Sequence, residues 1–278
     1  MDQLMDQSVP PVLVAVSHGT RSATGRRTIA QLRLAVAAAR PGLEVVAAHV
    51  DVQKPALEDV VLKLAAAGRA CVVVPLLLST GYHVRSDVNG AVRAARKAGG
   101  SAVAAAALGP DPALVDVLCH RLTAAGAHDD DAVVLAAAGS LAPQAVADVE
   151  HALAALTARR TALGGGPVVA GYASAQEPTV PQACAALRAA HPGRRVAVVP
   201  YLLAPGVFSQ RLDALLAPAA GTDAGTADGQ ALADVVAQTL CADGDIDPRI
   251  AALALRRYDE ALELAAEQAR EESSALVS

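Results

Sequence analysis

The sequence predicts an α/β protein of two similar domains, each a four-stranded parallel sheet flanked by helices. Two observations carry that prediction. Short valine-rich apolar runs alternate with longer stretches whose apolar residues recur at helical spacing, as in chained βα units over a parallel sheet. The landmarks of the first half then recur in order in the second half, which marks an internal duplication. The break falls at Ala127-His128-Asp129-Asp130-Asp131, giving one domain over residues 1–127 and a second over 132–278.

Residues 12–16 read as a buried strand that Gly19 ends, and Ile29, Leu32 and Val36 mark one face of the helix that follows. Pro41-Gly42 stops that helix, and a second strand runs over about 44–50. Pro55 suits the first turn of the next helix, whose stripe is Leu57, Val60, Val61 and Leu64. A third strand covers 71–78, followed by the Gly81–His83 loop and a helix with Val88, Ala91, Val92 and Ala95. Ser101–Leu108 is the fourth strand, and Asp111-Pro112 opens a helix carrying Leu114, Leu118 and Leu122.

The second half restarts the frame. Val133–Ala138 is a strand, with Gly139-Ser140 set against His18-Gly19. Strand 168–172 leads to Glu177-Pro178, as Lys54-Pro55 followed the second strand, and Pro200 lies inside strand 196–203 as Pro75 lies inside 71–78. Gly206 matches Gly81, and Phe208 falls where His83 stood. Residues 217–230 are poor in large apolar side chains and read as a surface loop. Asp247-Pro248 opens a last amphipathic helix, as Asp111-Pro112 did, and it packs on the body of the protein.

Composition narrows the function. The 278 residues are 53% hydrophobic, enough for two cores. A net charge of −5, no Trp and one Phe argue against a phosphate-backbone footprint or base-stacking platforms, so no nucleic-acid partner is expected. No apolar run reaches the ~18 residues of a membrane span. The N-terminus lacks a basic start before an apolar core, and the expectation is a cytoplasmic protein. Cys71, Cys119, Cys184 and Cys241 are far apart among apolar neighbours and read as small buried hydrophobes.

The chemistry gathers at two histidines. His18 follows the first strand and His83 follows the third, and ligands of open parallel sheets bind beyond the carboxyl ends of strands. Two imidazoles delivered there can share one metal ion or one proton-transfer task. Asp51, after the second strand, adds an oxygen ligand or base, and His49 shares its strand face. Two histidines and a carboxylate suit Fe2+, Co2+, Ni2+ or Zn2+. Arg21 and Arg85, beside the histidines, are placed to grip a polyanionic substrate, whereas Arg26 and Arg27 read as a solvated helix face.

Three pieces, Ser17-His18-Gly19-Thr20-Arg21, Asp51-Val52-Gln53-Lys54-Pro55-Ala56-Leu57 and Val74-Pro75-Leu76-Leu77-Leu78 with Gly81-Tyr82-His83 and Asp87, resemble the sirohydrochlorin chelatases. These are the class II chelatases of siroheme and cobalamin synthesis. The second half resembles the degenerate domain of their long, two-domain form, as in Tyr172-Ala173-Ser174 and Arg256-Arg257-Tyr258. The resemblance implies a lyase that inserts a divalent metal, Fe2+, Co2+ or Ni2+, into a tetrapyrrole, with the metal as substrate and no permanently bound cofactor. It implies His18 and His83 as catalytic residues and metal ligands. Asp51 stands as third ligand where the family usually has glutamate. It further implies substrate contacts from Arg21, Arg85, Ser17, Thr20 and Gly81. Iron insertion is favoured over cobalt, and a monomer or a homodimer fits.

Two rival readings use the same residues. A non-catalytic metal or tetrapyrrole carrier would bind without turnover. A histidine phosphatase also carries His-Gly after an N-terminal strand, but its motif wants arginine immediately before the histidine, where this chain has Ser17.

Overall fold

In a computed structural model of the chain, residues 9–79, 82–216 and 233–277 are described. The first sheet has β1 (Val12–Ser17), β2 (Val45–His49), β3 (Cys71–Pro75) and β4 (Ala102–Ala104) in the order β2-β1-β3-β4, every pair parallel. β1 is central and buried along its whole length, which is why it reads as an unbroken apolar run rather than an alternating one. Between the strands lie α1 (Ala23–Ala39), α2 (Leu57–Ala66) and α3 (Tyr82–Lys97). The expected stripes are the buried ones: Leu32 and Val36 on α1, Leu57 and Val61 on α2, and Val88, Ala91, Val92 and Ala95 on α3. The last two helices close one core with Val12, Val14, Val16 and Val73.

The strands are shorter than their apolar runs. β3 ends at Pro75 and β4 at Ala104, yet Leu76 and Leu108 beyond them remain fully buried. Apolar composition reports burial, and the connections leaving the sheet are buried as well as the ladder. Pro55 also differs from expectation. It precedes α2 by two residues, with Ala56 as the N-cap, because the Pro55 carbonyl accepts from the His49 N–H at 3.0 Å. That bond holds the segment extended beside β2 and delays the first helical turn.

The second sheet repeats the topology. β5 (Ala132–Ala137), β6 (Val168–Tyr172), β7 (Val196–Tyr201) and β8 (Val235–Val236) run parallel in the order β6-β5-β7-β8. Pro200 lies opposite Ala136 as Pro75 lies opposite Val16, so the duplication holds at the level of register. With this sheet go α4 (Pro112–Ala124), α5 (Pro143–Thr161), α6 (Val180–Ala190) and α7 (Val207–Leu216). A short antiparallel ribbon, β9 (Cys241–Ala242) with β10 (Asp245–Ile246), was not expected from the repeat. The chain closes with α8 (Pro248–Val277). The expected loop over 217–230 lies outside the described residues.

The compact units divide the chain differently from the 1–127 and 132–278 reading. One unit comprises Met1–Leu108 and Pro248–Ser278, the other Gly109–Asp247. Each repeat's closing helix therefore belongs to the other repeat's unit. α4 packs on α5 and β7, with Leu114, Leu118 and Leu122 buried. Its buried Arg121 donates to the carbonyls of Leu240 and Asp245 and pairs with the Asp245 carboxylate. α8 packs on α1, β3 and β4. Its Tyr258 hydroxyl donates to the Pro11 carbonyl at 2.7 Å, and Asp259 takes a two-pronged pair from Arg40 at 2.6 and 2.7 Å. Both helices start where the Asp-Pro signals place them. The side chains they bury set which sheet they cover.

Candidate active site

The first sheet ends its central strand on Ser17 and its neighbouring strand on His49, which lie opposite each other in register. The Ser17 hydroxyl and His49 Nδ1 are 2.9 Å apart. Ser17 is only 6% exposed, and with its hydroxyl engaged by His49 it offers a substrate little surface. Burial pushes the His49 imidazole below its usual pKa, favouring the neutral ring.

Beyond these two residues, the loops after β1 and β2 are tied together through their backbones. Val50 N–H donates to the Ser17 carbonyl and Asp51 N–H to the His18 carbonyl, each at 3.0 Å. Thr20 N–H donates to Gln53 Oε1 at 2.7 Å. Gly19 has φ +96°, and a Cβ there would overlap the Asp51 carbonyl oxygen, so only glycine lets the loops approach this closely. The outcome is an exposed His18 fixed at backbone level to an exposed Asp51. The Asp51 carboxylate is partly committed, accepting from Val52 N–H at 2.7 Å.

The other expected site residues take different places. Thr20 anchors the loop through its backbone, and its hydroxyl accepts from Ser22 N–H at 3.1 Å, at the start of α1. Arg21 is exposed, and its carbonyl accepts from Arg26. Arg85 and Asp87 are exposed on the first turns of α3. His83 is the second residue of that helix, but its side chain, like Gly81, lies outside the described residues. Among the described residues, His18, His49 and Asp51 do not converge into a three-ligand cluster; the group that does is His128, Asp130 and Asp131. That turn is already committed. Asp131, 2% exposed, accepts from His128 N–H at 2.8 Å, Arg160 donates to the backbone carbonyls of Asp129 and Asp131, and Arg194 donates to that of Asp130. The guanidinium of Arg195 adds positive charge beside the carboxylate, which disfavours a further cation.

The second repeat carries the same loop lacing. Gly139 has φ +88°, and a Cβ there would overlap the Ser174 carbonyl oxygen, as at Gly19 against Asp51. Ser140 N–H donates to Gln176 Oε1 at 3.2 Å, as Thr20 does to Gln53. Gly139 therefore matches Gly19, and Ala138 stands in the place of His18; the alignment of Gly139-Ser140 with His18-Gly19 is corrected by one residue. Phe208 is the second residue of α7, as His83 is of α3, which agrees with the sequence comparison. Sequence reasoning missed Gln53 and the Ser17–His49 pair. The repeated Gln at 53 and 176 was a visible signal, while the pair is a contact between strands 32 residues apart.

The family model for CbiX matches residues 12–125 and again residues 132–261. No curated protein matches the chain in sequence. Among solved structures, the chain is similar to SirB from Bacillus subtilis with Fe3+, with a TM-score of 0.71 and 21% identity over 92% of this chain and 97% of that one. It is similar to the sirohydrochlorin chelatase SirB from Bacillus subtilis subspecies spizizenii in complex with cobalt, with a TM-score of 0.65 and 20% identity over 91% and 95%. It is also similar to CbiX, the terminal enzyme for biosynthesis of siroheme in denitrifying bacteria, with a TM-score of 0.59 and 18% identity over 90% and 99%. At these identities the likeness is one of fold.

Proposed function

The chain belongs to the CbiX family, and from that premise we propose that it inserts a divalent metal ion into sirohydrochlorin, with Fe2+ as the metal and siroheme as the product. The observation that carries this reading is the exposed His18 at the end of the central strand, its backbone tied to that of Asp51. Metallation removes two pyrrole N–H protons, and the incoming ion sheds water. A neutral imidazole accepts a proton near neutral pH and also holds a cation, which itself favours deprotonated ligands.

In this reading His18 is the principal base or ligand and His83 the second. Asp51 supplies a carboxylate. Arg21 and Arg85 meet the carboxylates on the rim of the macrocycle, with Thr20 and Gly81 as further substrate contacts. Iron is the first metal to test and cobalt insertion the reading to set against it, since similar structures hold Fe3+ and cobalt.

The test is anaerobic incubation of the full-length chain with sirohydrochlorin and Fe2+, Co2+ or Ni2+ in separate reactions, followed by absorbance. His18→Ala is expected to lower kcat/KM on the order of a hundredfold or more. A wild-type rate in that variant overturns the assignment of His18. A single stoichiometric binding event without repeated turnover under excess substrate identifies a carrier instead. No helix among the described residues is long and apolar enough to cross a membrane.

A further inference from the structure

The metal-insertion reading makes no use of the Ser17–His49 pair, yet the pair sits where the two chemistry-bearing loops begin. Ser17 immediately precedes His18, and His49 lies two residues before Asp51. The residues are register partners at the last step of the β1–β2 ladder, and their 2.9 Å contact joins side chains across it. The next two bonds out from that point are the backbone ties, Val50 to Ser17 and Asp51 to His18.

The second repeat shows that folding does not require this pair. Its corresponding positions, opposite each other in the same register, are Ala137 and Tyr172. The first of the two backbone ties is kept there, with Ala173 N–H donating to the Ala137 carbonyl at 2.9 Å, while the Ala138 carbonyl accepts from the Ser174 hydroxyl at 2.8 Å. Alanine has no hydroxyl, so the cross-strand bond cannot form. The pair thus occurs in the repeat that has His18 and not in the repeat that has Ala138. A half-buried polar pair costs desolvation that an apolar pair would avoid. Its presence in one repeat only points to a task beyond the frame.

We propose that Ser17 and His49 are a positioning pair that locks the ends of β1 and β2 together, so that His18 and Asp51 are held ready for the incoming metal ion. This rests on the reading of His18 as the metal-receiving group. Groups that orient metal ligands from behind influence affinity without touching the ion. Here the orientation passes through the backbone: the side-chain bond fixes the last strand residues, and the backbone ties transmit that to the next ones.

The experiment uses the full-length chain with Ser17→Ala, His49→Phe, the double variant, His49→Asn and His49→Gln. Co2+ alone is the binding probe, read by visible absorption, with KM for the metal, kcat and Tm measured on each variant. Ser17→Ala and His49→Phe are each expected to weaken Co2+ binding and raise the metal KM on the order of tenfold, with a smaller change in kcat. The double variant is expected to be no worse than either single one, because both remove the same bond. His49→Asn, whose amide falls near the position of Nδ1, restores binding, and His49→Gln does not.

Unchanged Co2+ affinity and KM in Ser17→Ala, additive losses in the double variant, or rescue by Gln instead of Asn each overturn the proposal. Ser17→Ala is the smallest change and carries the test if His49→Phe lowers Tm. His18→Ala run alongside separates the two readings. Lost turnover there with normal Ser17→Ala sinks the positioning pair alone, whereas normal turnover in His18→Ala overturns the assignment of His18 on which the pair rests.

Discussion

The two repeats of this chain share a frame and differ in what hangs on it. Gly19 and Gly139 meet the carbonyls of Asp51 and Ser174, and Gln53 and Gln176 anchor the backbones of Thr20 and Ser140. The carbonyls of Pro55 and Pro178 extend β2 and β6 by accepting from His49 and Tyr172. On that common frame, Ser17 becomes Ala137, His18 becomes Ala138, Arg21 becomes Leu141, His49 becomes Tyr172 and Asp51 becomes Ser174. The replacements remove a base, a charge, a polar pair and a carboxylate while the glycine contacts, the glutamine anchors and the bond from residue 50 to 17 survive; the Asp51 N–H bond to the His18 carbonyl gives way to one from the Ser174 hydroxyl to the Ala138 carbonyl. Features found in both repeats therefore belong to the frame, and features found in one are the candidates for chemistry. Val52 at φ +46° illustrates the first class. A left-handed valine beside a candidate ligand would invite a functional reading, but Ala175 holds φ +60° at the matching place, so the turn belongs to the frame.

The comparison breaks most readily at the two glycines. Gly19→Ala and Gly139→Ala each place a Cβ on a backbone carbonyl at positive φ. Each is expected to cost about 3 kcal/mol or more, measured by urea denaturation. A tolerated alanine at one position and not the other would show that the two loops are not one frame. A smaller effect is expected at the glutamines. Gln53→Ala and Gln176→Ala each remove one side-chain acceptor from a backbone N–H, at about 1 kcal/mol each. Only the first should also disturb metal insertion, because only its loop carries a histidine.

The subtlest effect is in pH dependence, where the matching positions His49 and Tyr172 titrate at opposite ends of the scale. Burial lowers the His49 pKa, so the unfolded chain takes up its proton first, and the stability it contributes is lost as pH falls below 6.5. Burial, with the Glu150 carboxylate, raises the Tyr172 pKa, so the stability from its neutral form is lost as pH rises above 10. His49→Phe is expected to flatten the acid limb of a stability-against-pH curve and leave the alkaline limb alone; Tyr172→Phe should do the reverse. A change in the opposite limb would mean that these two positions do not dominate the titration.

Much of the fold was legible because parallel sheets write themselves plainly. A strand buried on both faces is a continuous apolar run, and β1, β3, β5 and β7 are such runs. Helix starts were legible where a side chain makes the first bond, as at Asp111, which accepts from Ala113 N–H at 2.9 Å. β8, two residues long, and the ribbon of β9 and β10 were not legible, since neither is long enough to show a period. At the site, His18 was visible from its place after a strand. The Ser17–His49 bond was not, because period-two alternation gives a face but not which residue of a neighbouring strand stands opposite.

The βα order, the duplication and the residue types brought to the strand ends follow from local spacing and composition. Where the two closing helices go does not. Asp111-Pro112 and Asp247-Pro248 each start a helix through short-range geometry that is the same in both repeats. The partners of those helices are settled far along the chain, by Arg121 meeting Leu240 and Asp245 and by Tyr258 meeting Pro11. Burial is a competition among distant surfaces, and a local signal cannot state its outcome.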